Sequence, residues 1–257
     1  MGSATQDGPV NILCLKWGSR YPAYFANALY QGVRRFLRRP FRFVCVTENT
    51  LGLDRGIETF PIPENPGMAI AWPNVFLKLL VTADGFAGLQ GPTLFCDLDV
   101  VLTGELDCFF DFHPGKPCII HNWVEMRKQI FRSRPAIGNS SVFRFEAGQS
   151  QYICDTFLRE QDQAVNPARF RTEQAFLTYA MREWYWWPET WVRSFKRHSL
   201  RPFPLNLCST PRLPHDTRIL VFHGHPDPDE ALRGYRGRRP HQHALPAPWI
   251  ADYWRTS

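Results

Sequence analysis

Between residues 10 and 102 the chain alternates short apolar runs with stretches of helical periodicity, and this order constrains the fold more than any other feature. Val10–Leu15 (VNILCL) has the pattern of a short buried strand. Pro22 then opens a helix, because a first-turn position needs no N–H partner. Phe25, Leu29, Val33 and Phe36 recur at the spacing of one helix face. Phe41–Val46 (FRFVCV) reads as a second strand and Ile57–Pro61 as a short extended piece. Asn74–Asp84 returns to helical spacing, and residues 92–102 hold a strongly apolar strand, TLFCDLDVVL. Strand, helix, strand, helix, strand predicts an α/β fold with a parallel sheet covered by helices.

The second half is less regular. Lys116–His121 and Ser140–Phe145 read as strands, Gln151–Gln161 and Thr172–Arg182 as helices, and Ile219–Phe222 as a last strand. Trp184–Trp191 gathers four tryptophans and a proline. No repeat and no long linker divides the chain. The expected organisation is a disordered N-terminus over residues 1–9, one domain over 10–232, and a basic tail over 233–257 packed on or beside it.

Composition narrows the class. Hydrophobic residues make up 44% and charged residues 21%, which excludes a disordered chain. No uncharged run approaches the roughly 18 residues of a membrane span. The start MGSATQDGPV has neither a basic nor an apolar stretch, so no signal peptide is expected. The seven cysteines are scattered without a CxxC pair, which argues against a disulfide framework and for a reducing cytoplasm. The net charge is +6, with arginines crowded at 34–42 and 233–239. Such clusters suit phosphates or an anionic membrane face, although a solvated helix face and a polar tail explain them equally well. No nucleic-acid-binding module is present in the sequence, so nucleic acid is not an expected partner.

The chemistry concentrates in LFCDLDVVL. Asp97 and Asp99, two apart at the end of an apolar strand, fall on one side by strand alternation. Two close carboxylates repel unless a cation neutralises them, and a hard divalent ion such as Mn²⁺ or Mg²⁺ suits oxygen ligands. In open α/β sheets ligands collect at the carboxyl ends of strands, so a metal–phosphate site is expected there. A pair of turn or capping aspartates is the plainer alternative. The same string also resembles the first motif of haloacid-dehalogenase-type phosphatases, in which Asp97 would be a nucleophile. Against that stand its late position in the chain, Val100 where a small residue is usual, and the lack of a late acidic pair with an upstream lysine.

A broader resemblance covers most of residues 11–230. The chain resembles GT-A-fold nucleotide-sugar glycosyltransferases, close in layout to family 8, the galactosyltransferase and glycogenin-like group. ILCLKWGSRYPAYFANALYQGVRR is similar to that family's opening strand, loop and helix. The resemblance places Trp17 and Tyr21 near the base and ribose, with Thr47 and Glu48 also on the donor side. Phe76-Leu77-Lys78 stands where the family has Tyr-x-Arg, so Lys78 would supply charge near the donor; lysine lacks the fork of arginine. GELDCFFDF is similar to the segment that follows the family's metal strand. Gly138-Asn139-Ser140-Ser141-Val142 resembles the strand lining the sugar pocket, which implies that Asn139 binds donor hydroxyls. Thr172-Glu173-Gln174 resembles the start of the catalytic helix, with Glu173 in place of Asp; Gln174 would lie beneath the reacting sugar, and Thr172 also reads as an ordinary helix cap. ILVFHGHPDP resembles the late His-Gly segment, which makes His223 the third metal ligand beside Asp97 and Asp99. His225 stands where a diphosphate-binding lysine is expected, and Lys196 is the replacement charge.

The resemblance implies a single-domain, metal-dependent transferase moving a hexose-type sugar from a nucleoside-diphosphate donor, UDP-linked by analogy, to a glycan or glycolipid. Retention follows if the family likeness is close; inversion would make Glu173 the base. The cysteine pattern makes the cytoplasm the expected location, and the arginine clusters make peripheral attachment to the inner membrane face an option beside it. Acceptor choice is expected in Trp123–Arg134 and Trp184–Trp191. A non-catalytic nucleotide-sugar-binding protein is the remaining reading, supported by the departures at Glu173 and His225.

Overall fold

A computed structural model of the chain describes residues 8–65, 68, 70–123 and 136–255. The expectations for residues 1–7 and for most of the 123–134 acceptor segment lie outside the described residues. Strands β1 (Val10–Lys16), β2 (Phe41–Thr47), β3 (Glu58–Phe60) and β4 (Gly91–Cys96) pair in parallel in the order β3-β2-β1-β4. Helix α1 (Ala23–Phe36) crosses between β1 and β2 and buries Phe25, Leu29 and Val33 against one face of this sheet. The opposite face is covered by the short helix α2 (Leu77–Leu80) and by two later helices. Apolar side chains alternate between the faces along β1, with Ile12 and Cys14 in one core and Leu13 and Leu15 in the other. The sheet is therefore buried on both sides, as a parallel sheet must be.

TLFCDLDVVL is not one strand. β4 stops at Cys96, and β5 (Val100–Leu102) belongs to a second sheet. Asp97 still donates its N–H to the Ser141 carbonyl (2.8 Å), whereas the Asp99 carbonyl accepts from Phe222 N (3.1 Å) in the other sheet. The three residues 97–99 thus bridge two sheets, and the two aspartates are placed by a turn rather than by strand alternation. The 74–84 helix is likewise shorter than its periodicity predicts. Asn74 Oδ1 accepts from Phe76 N (2.9 Å) and Thr82 Oγ1 donates to Leu79 O (2.7 Å), so side chains take up backbone groups at both ends and only Leu77–Leu80 is α-helical.

After α3 (Cys108–Asp111), β6 (Cys118–His121) and β7 (Gly138–Ala147) extend the main sheet antiparallel, and β8 (Tyr185–Trp186) closes its edge, giving seven strands. Gly138 has a structural reason: a Cβ there would lie 2.5 Å from Ile119 Cδ1, at the point where the β6–β7 register shifts. Helices α4 (Gln151–Arg159) and α6 (Glu173–Ala180), separated by the short α5 (Gln161–Ala164), pack Ile153, Phe157 and Phe176 on the second face. The small sheet is β5-β10-β9, with β9 at Val192–Ser194 and β10 at Ile219–Val221. β8 and β9 are too short to have shown a period in the sequence. Helix α7 (Pro228–Arg233) follows, and residues beyond it fold back: Ala244, Ala247, Ile250 and Trp254 are buried, and Trp254 meets the Phe25 ring edge-on at 5.1 Å.

Candidate active site

The carboxyl ends of β1, β4 and β10 converge with the N-terminal part of β7 and the start of α6, and they bring together most of the residues singled out in the sequence. Lys78 is the centre of the inner part. It is buried, and its Nζ lies 2.7 Å from Asp97 Oδ1, 3.2 Å from Ser140 Oγ and 3.9 Å from Glu173 Oε1. Burial pulls the lysine down, but Asp97 and Glu173 outweigh it and hold Lys78 above its usual range. Ser140 Oγ donates to Glu173 Oε1 at 2.5 Å, which fixes the carboxylate inside the protein. Thr172 caps α6 through Ala175 N and sets the orientation of both Glu173 and Gln174.

Asp99 faces the other way. Its Oδ2 accepts from Tyr21 OH (3.3 Å) and from the Gly224 N–H (3.4 Å). Burial raises the carboxyls of both Asp97 and Asp99; Asp99 adds to the rise at Asp97, and Asp227 to that at Asp99. Two carboxyls pushed up in this way gain most from a neighbouring cation. His223 sits beside Gly224 with a left-handed backbone (φ 55°) and a buried Nε2 that has no hydrogen-bond partner among the described residues. Burial, helped by Lys196, Arg197 and His198, lowers His223 to about 4, so its imidazole is neutral at physiological pH. Two carboxylates and a neutral imidazole suit Mn²⁺ or Mg²⁺ by chemistry, but their ligand atoms do not all lie within 4.8 Å of one another, and both oxygens of Asp97 are engaged by Lys78.

Among the described residues, the one His/Asp/Glu group with ligand atoms all within 4.8 Å of one another is a different one, His225, Asp227 and Glu230. These side chains are already engaged. Asp227 and Glu230 form the capping box of α7, His225 Nδ1 meets Glu230 Oε2 at 2.8 Å, and Arg20 reaches Asp227 at 3.3 Å. They close the N-terminus of α7 and anchor the loop after β1.

The outer part of the site is a cleft of about 910 Å³. Asn139 and Gln174 line it on the sheet side, Lys196, His223 and His225 on the small-sheet side, and Arg169 and Arg171 on the loop before α6. No Asp or Glu is among its described lining residues. Lys196 Nζ donates to the His223 carbonyl (2.8 Å), and burial lowers its pKa. Asn139 Oδ1 accepts from Ser141 N (3.0 Å), and Gln174 Oε1 accepts from Asn122 Nδ2 (3.3 Å). Glu173 does not line the cleft; it faces Ser140 and Lys78. Trp17 packs on the second core, Thr47 Oγ1 accepts from Asn49 N, and Glu48 Oε1 accepts from Gly18 N (2.6 Å), so these residues shape the loops at the ends of β1 and β2. Ser140, Arg20 and Asp227 escaped the sequence reading, whereas Trp123, whose ring meets His223 edge-on at 5.1 Å, opens the segment expected to choose the acceptor. Only Ser140 carried a signal, as the neighbour of Asn139 in a pocket-lining strand.

The architecture is the GT-A fold of nucleotide-sugar glycosyltransferases. It is shared with the galactosyltransferase LgtC solved with donor and acceptor sugar analogues, at 11% identity and TM-score 0.58 over 85% of this chain and 88% of that one. An active-site mutant of LgtC matches at 11% identity and TM-score 0.56, over 85% and 89%. The bifunctional glycosyltransferase WbbM, without ligand, matches at 9% identity and TM-score 0.54, over 88% of this chain and 48% of that one. No sequence-family profile and no curated protein matches the chain.

Proposed function

We propose that the chain is a metal-dependent glycosyltransferase that moves a hexose-type sugar from a nucleoside-diphosphate donor, UDP-linked by family likeness, to a glycan or glycolipid acceptor. The observation that carries this reading is the pairing of a buried carboxylate cluster at the exit of β4 with an acid-free cationic cleft beside it. The fold shared with LgtC and WbbM supports it. Asp97, Asp99 and His223 would hold the ion. When bound, Mn²⁺ or Mg²⁺ neutralises the charge that develops on the departing diphosphate. Lys196 and His225 add positive charge on that side of the cleft. Lys78 stays protonated and keeps Asp97 oriented. Asn139 and Gln174 face the sugar.

In the transfer, the bond from the anomeric carbon to the phosphate oxygen breaks and a bond to the acceptor oxygen forms. The acceptor proton passes to the nucleoside diphosphate. Glu173 is a positioning residue here, since its carboxylate is held by Ser140 and is turned from the cleft. A base that activated the acceptor would have to reach it. This placement supports retention of configuration over inversion. Asp97 as a phosphatase nucleophile has less support, because Lys78 engages both its oxygens at 2.7 and 2.9 Å.

A panel of nucleotide sugars, assayed for nucleoside-diphosphate release with Mn²⁺ and with chelator, tests the proposal. Release from one donor that requires metal and rises with acceptor supports it. Donor binding without turnover would indicate a binding protein, and hydrolysis of a generic aryl phosphate would indicate the phosphatase.

A further inference from the structure

We propose that Arg169 and Arg171, on the loop before α6, bind an anionic group of the acceptor, a phosphate or a carboxylate carried near the hydroxyl that receives the sugar. The inference rests on the transferase reading of the cleft and gives the chemical class of its acceptor. Charge is the first observation. Arg169, Arg171, Lys196 and Arg197 line the cleft, with no carboxylate among its described lining residues. The inner part sets Lys78 against Asp97, Asp99 and Glu173, an excess of two negative charges. Four cations less these two leave the whole site with two positive charges unmatched. The donor does not use them up. A nucleoside-diphosphate sugar brings about two negative charges and its divalent ion about two positive ones, so together they add almost nothing. An acceptor phosphate, at about −1.5 to −2, closes the balance, and an acceptor carboxylate halves the excess.

Position assigns the excess to the acceptor. Lys196 Nζ is tied to the His223 carbonyl (2.8 Å), on the small-sheet side given to the diphosphate. Arg169 and Arg171 stand on a different wall, on the loop that leads into Gln174. That loop is fixed. The Asn166 carbonyl accepts from Arg169 N (3.1 Å) and Phe170 N (2.9 Å), and Thr172 caps the helix that follows. The Phe170 ring packs on the second core and meets Phe176 edge-on at 5.0 Å. The arginines on either side of Phe170 are exposed and line the cleft.

The two arginines are not equal. Arg169 shares Glu160 with Arg159, at 3.7 and 3.3 Å. Arg171 has no carboxylate partner among the described residues. Its guanidinium is a planar fork that takes a phosphate or carboxylate through two parallel hydrogen bonds. A neutral glycan would leave that fork unmatched, so Arg171 is the main contact and Arg169 the supporting one.

The test is binding of the full chain to a panel of immobilised glycans, each in three matched forms: neutral, phosphorylated at one hydroxyl, and with a uronic acid in place of one hexose. It is run with the protein alone and with UDP and Mn²⁺. One glycan at least is expected to bind about tenfold more tightly in an acidic form than in its neutral form. Arg171→Gln should abolish that preference at unchanged thermal stability, and Arg171→Lys, which keeps the charge and loses the fork, should restore part of it. Arg201→Gln, at an exposed arginine outside the cleft, should leave the preference intact. Equal binding of acidic and neutral forms, or no glycan binding in either condition, overturns the proposal. An equal loss in Arg201→Gln does so too, because it would show diffuse attraction to a basic protein. So does a rise in Tm with UDP-glucuronic acid over UDP-glucose that needs Arg171, since the anion would then belong to the donor sugar. These readouts are of binding, so a failed transfer assay leaves them standing, whereas transfer confined to neutral glycans would uphold the transferase and overturn the anionic acceptor.

Discussion

The inner and outer parts of the site solve opposite problems. Around Asp97 the protein buries charge and pairs it: one lysine serves two carboxylates, and a serine ties down the second. Around Lys196 and His223 it leaves like charges side by side, and burial, helped by those charges, drives the histidine neutral. The inner part is built before any ligand arrives and adds to the rigidity of the fold. The outer part has no anion of its own among its described lining residues, and its positive charge is complete only with a bound one. Stability and ligand binding should therefore separate along this line, and substitutions can break or sharpen the separation.

The largest effect belongs to Lys78. Lys78→Met leaves buried Glu173 and half-buried Asp97 without their cation, and it should cost about 3 kcal/mol in urea unfolding. A loss below about 1 kcal/mol would show that the inner network is dispensable to the fold. Asp99→Asn removes a carboxyl that burial already disfavours, so stability should change by less than about 1 kcal/mol. Transfer should nevertheless fall by about 10²–10³ in kcat, the scale for loss of one group that supports developing charge. Unchanged kcat would remove Asp99 from the site.

His223 tests the outer part through pH. Its folded pKa, about 4, lies below its ordinary 6.5, so the unfolded chain takes up the proton first. The stability tied to neutral His223 is complete above pH 6.5 and is lost as pH falls through 6.5 toward 4. The separation corresponds to about 3 kcal/mol. His223→Asn, which tolerates the left-handed backbone, should flatten this part of the unfolding profile between pH 7.5 and 4.5. An unaltered slope would mean that His223 is not the group responsible. The smallest effect is that of Lys196→Ala: about tenfold in donor KM, with stability within about 0.5 kcal/mol. An unchanged KM would move the diphosphate away from the small sheet.

The same division explains what the sequence revealed. β1 and β2 were readable because both their faces are buried, which leaves an apolar run, and α1 because one face is buried, which imprints a period of 3.6. Asp97 and Asp99 stood out because charge is rare in an apolar strand. The break of that strand was hidden, since residues on both sides of it are buried and apolar and only long-range pairing to Ser141 and Phe222 separates them. The inward turn of Glu173 was hidden for the same reason: its partner Ser140 lies 33 residues away. β8 and β9, at two and three residues, carry no period at all. Lys196 was expected near the donor only through the family likeness and Arg197 gave no signal; the fold sets both beside His223.

The central claim is that the carboxylates at the exit of β4 and the cationic cleft act together on a metal-bound nucleoside diphosphate. Thermal unfolding of the protein with a panel of nucleotides and nucleotide sugars, with Mn²⁺ or chelator, tests it most directly. The account predicts a rise in Tm with one nucleoside diphosphate that disappears with chelator and in Asp99→Asn. A rise of equal size with chelator, or none with any nucleotide in either condition, would contradict it.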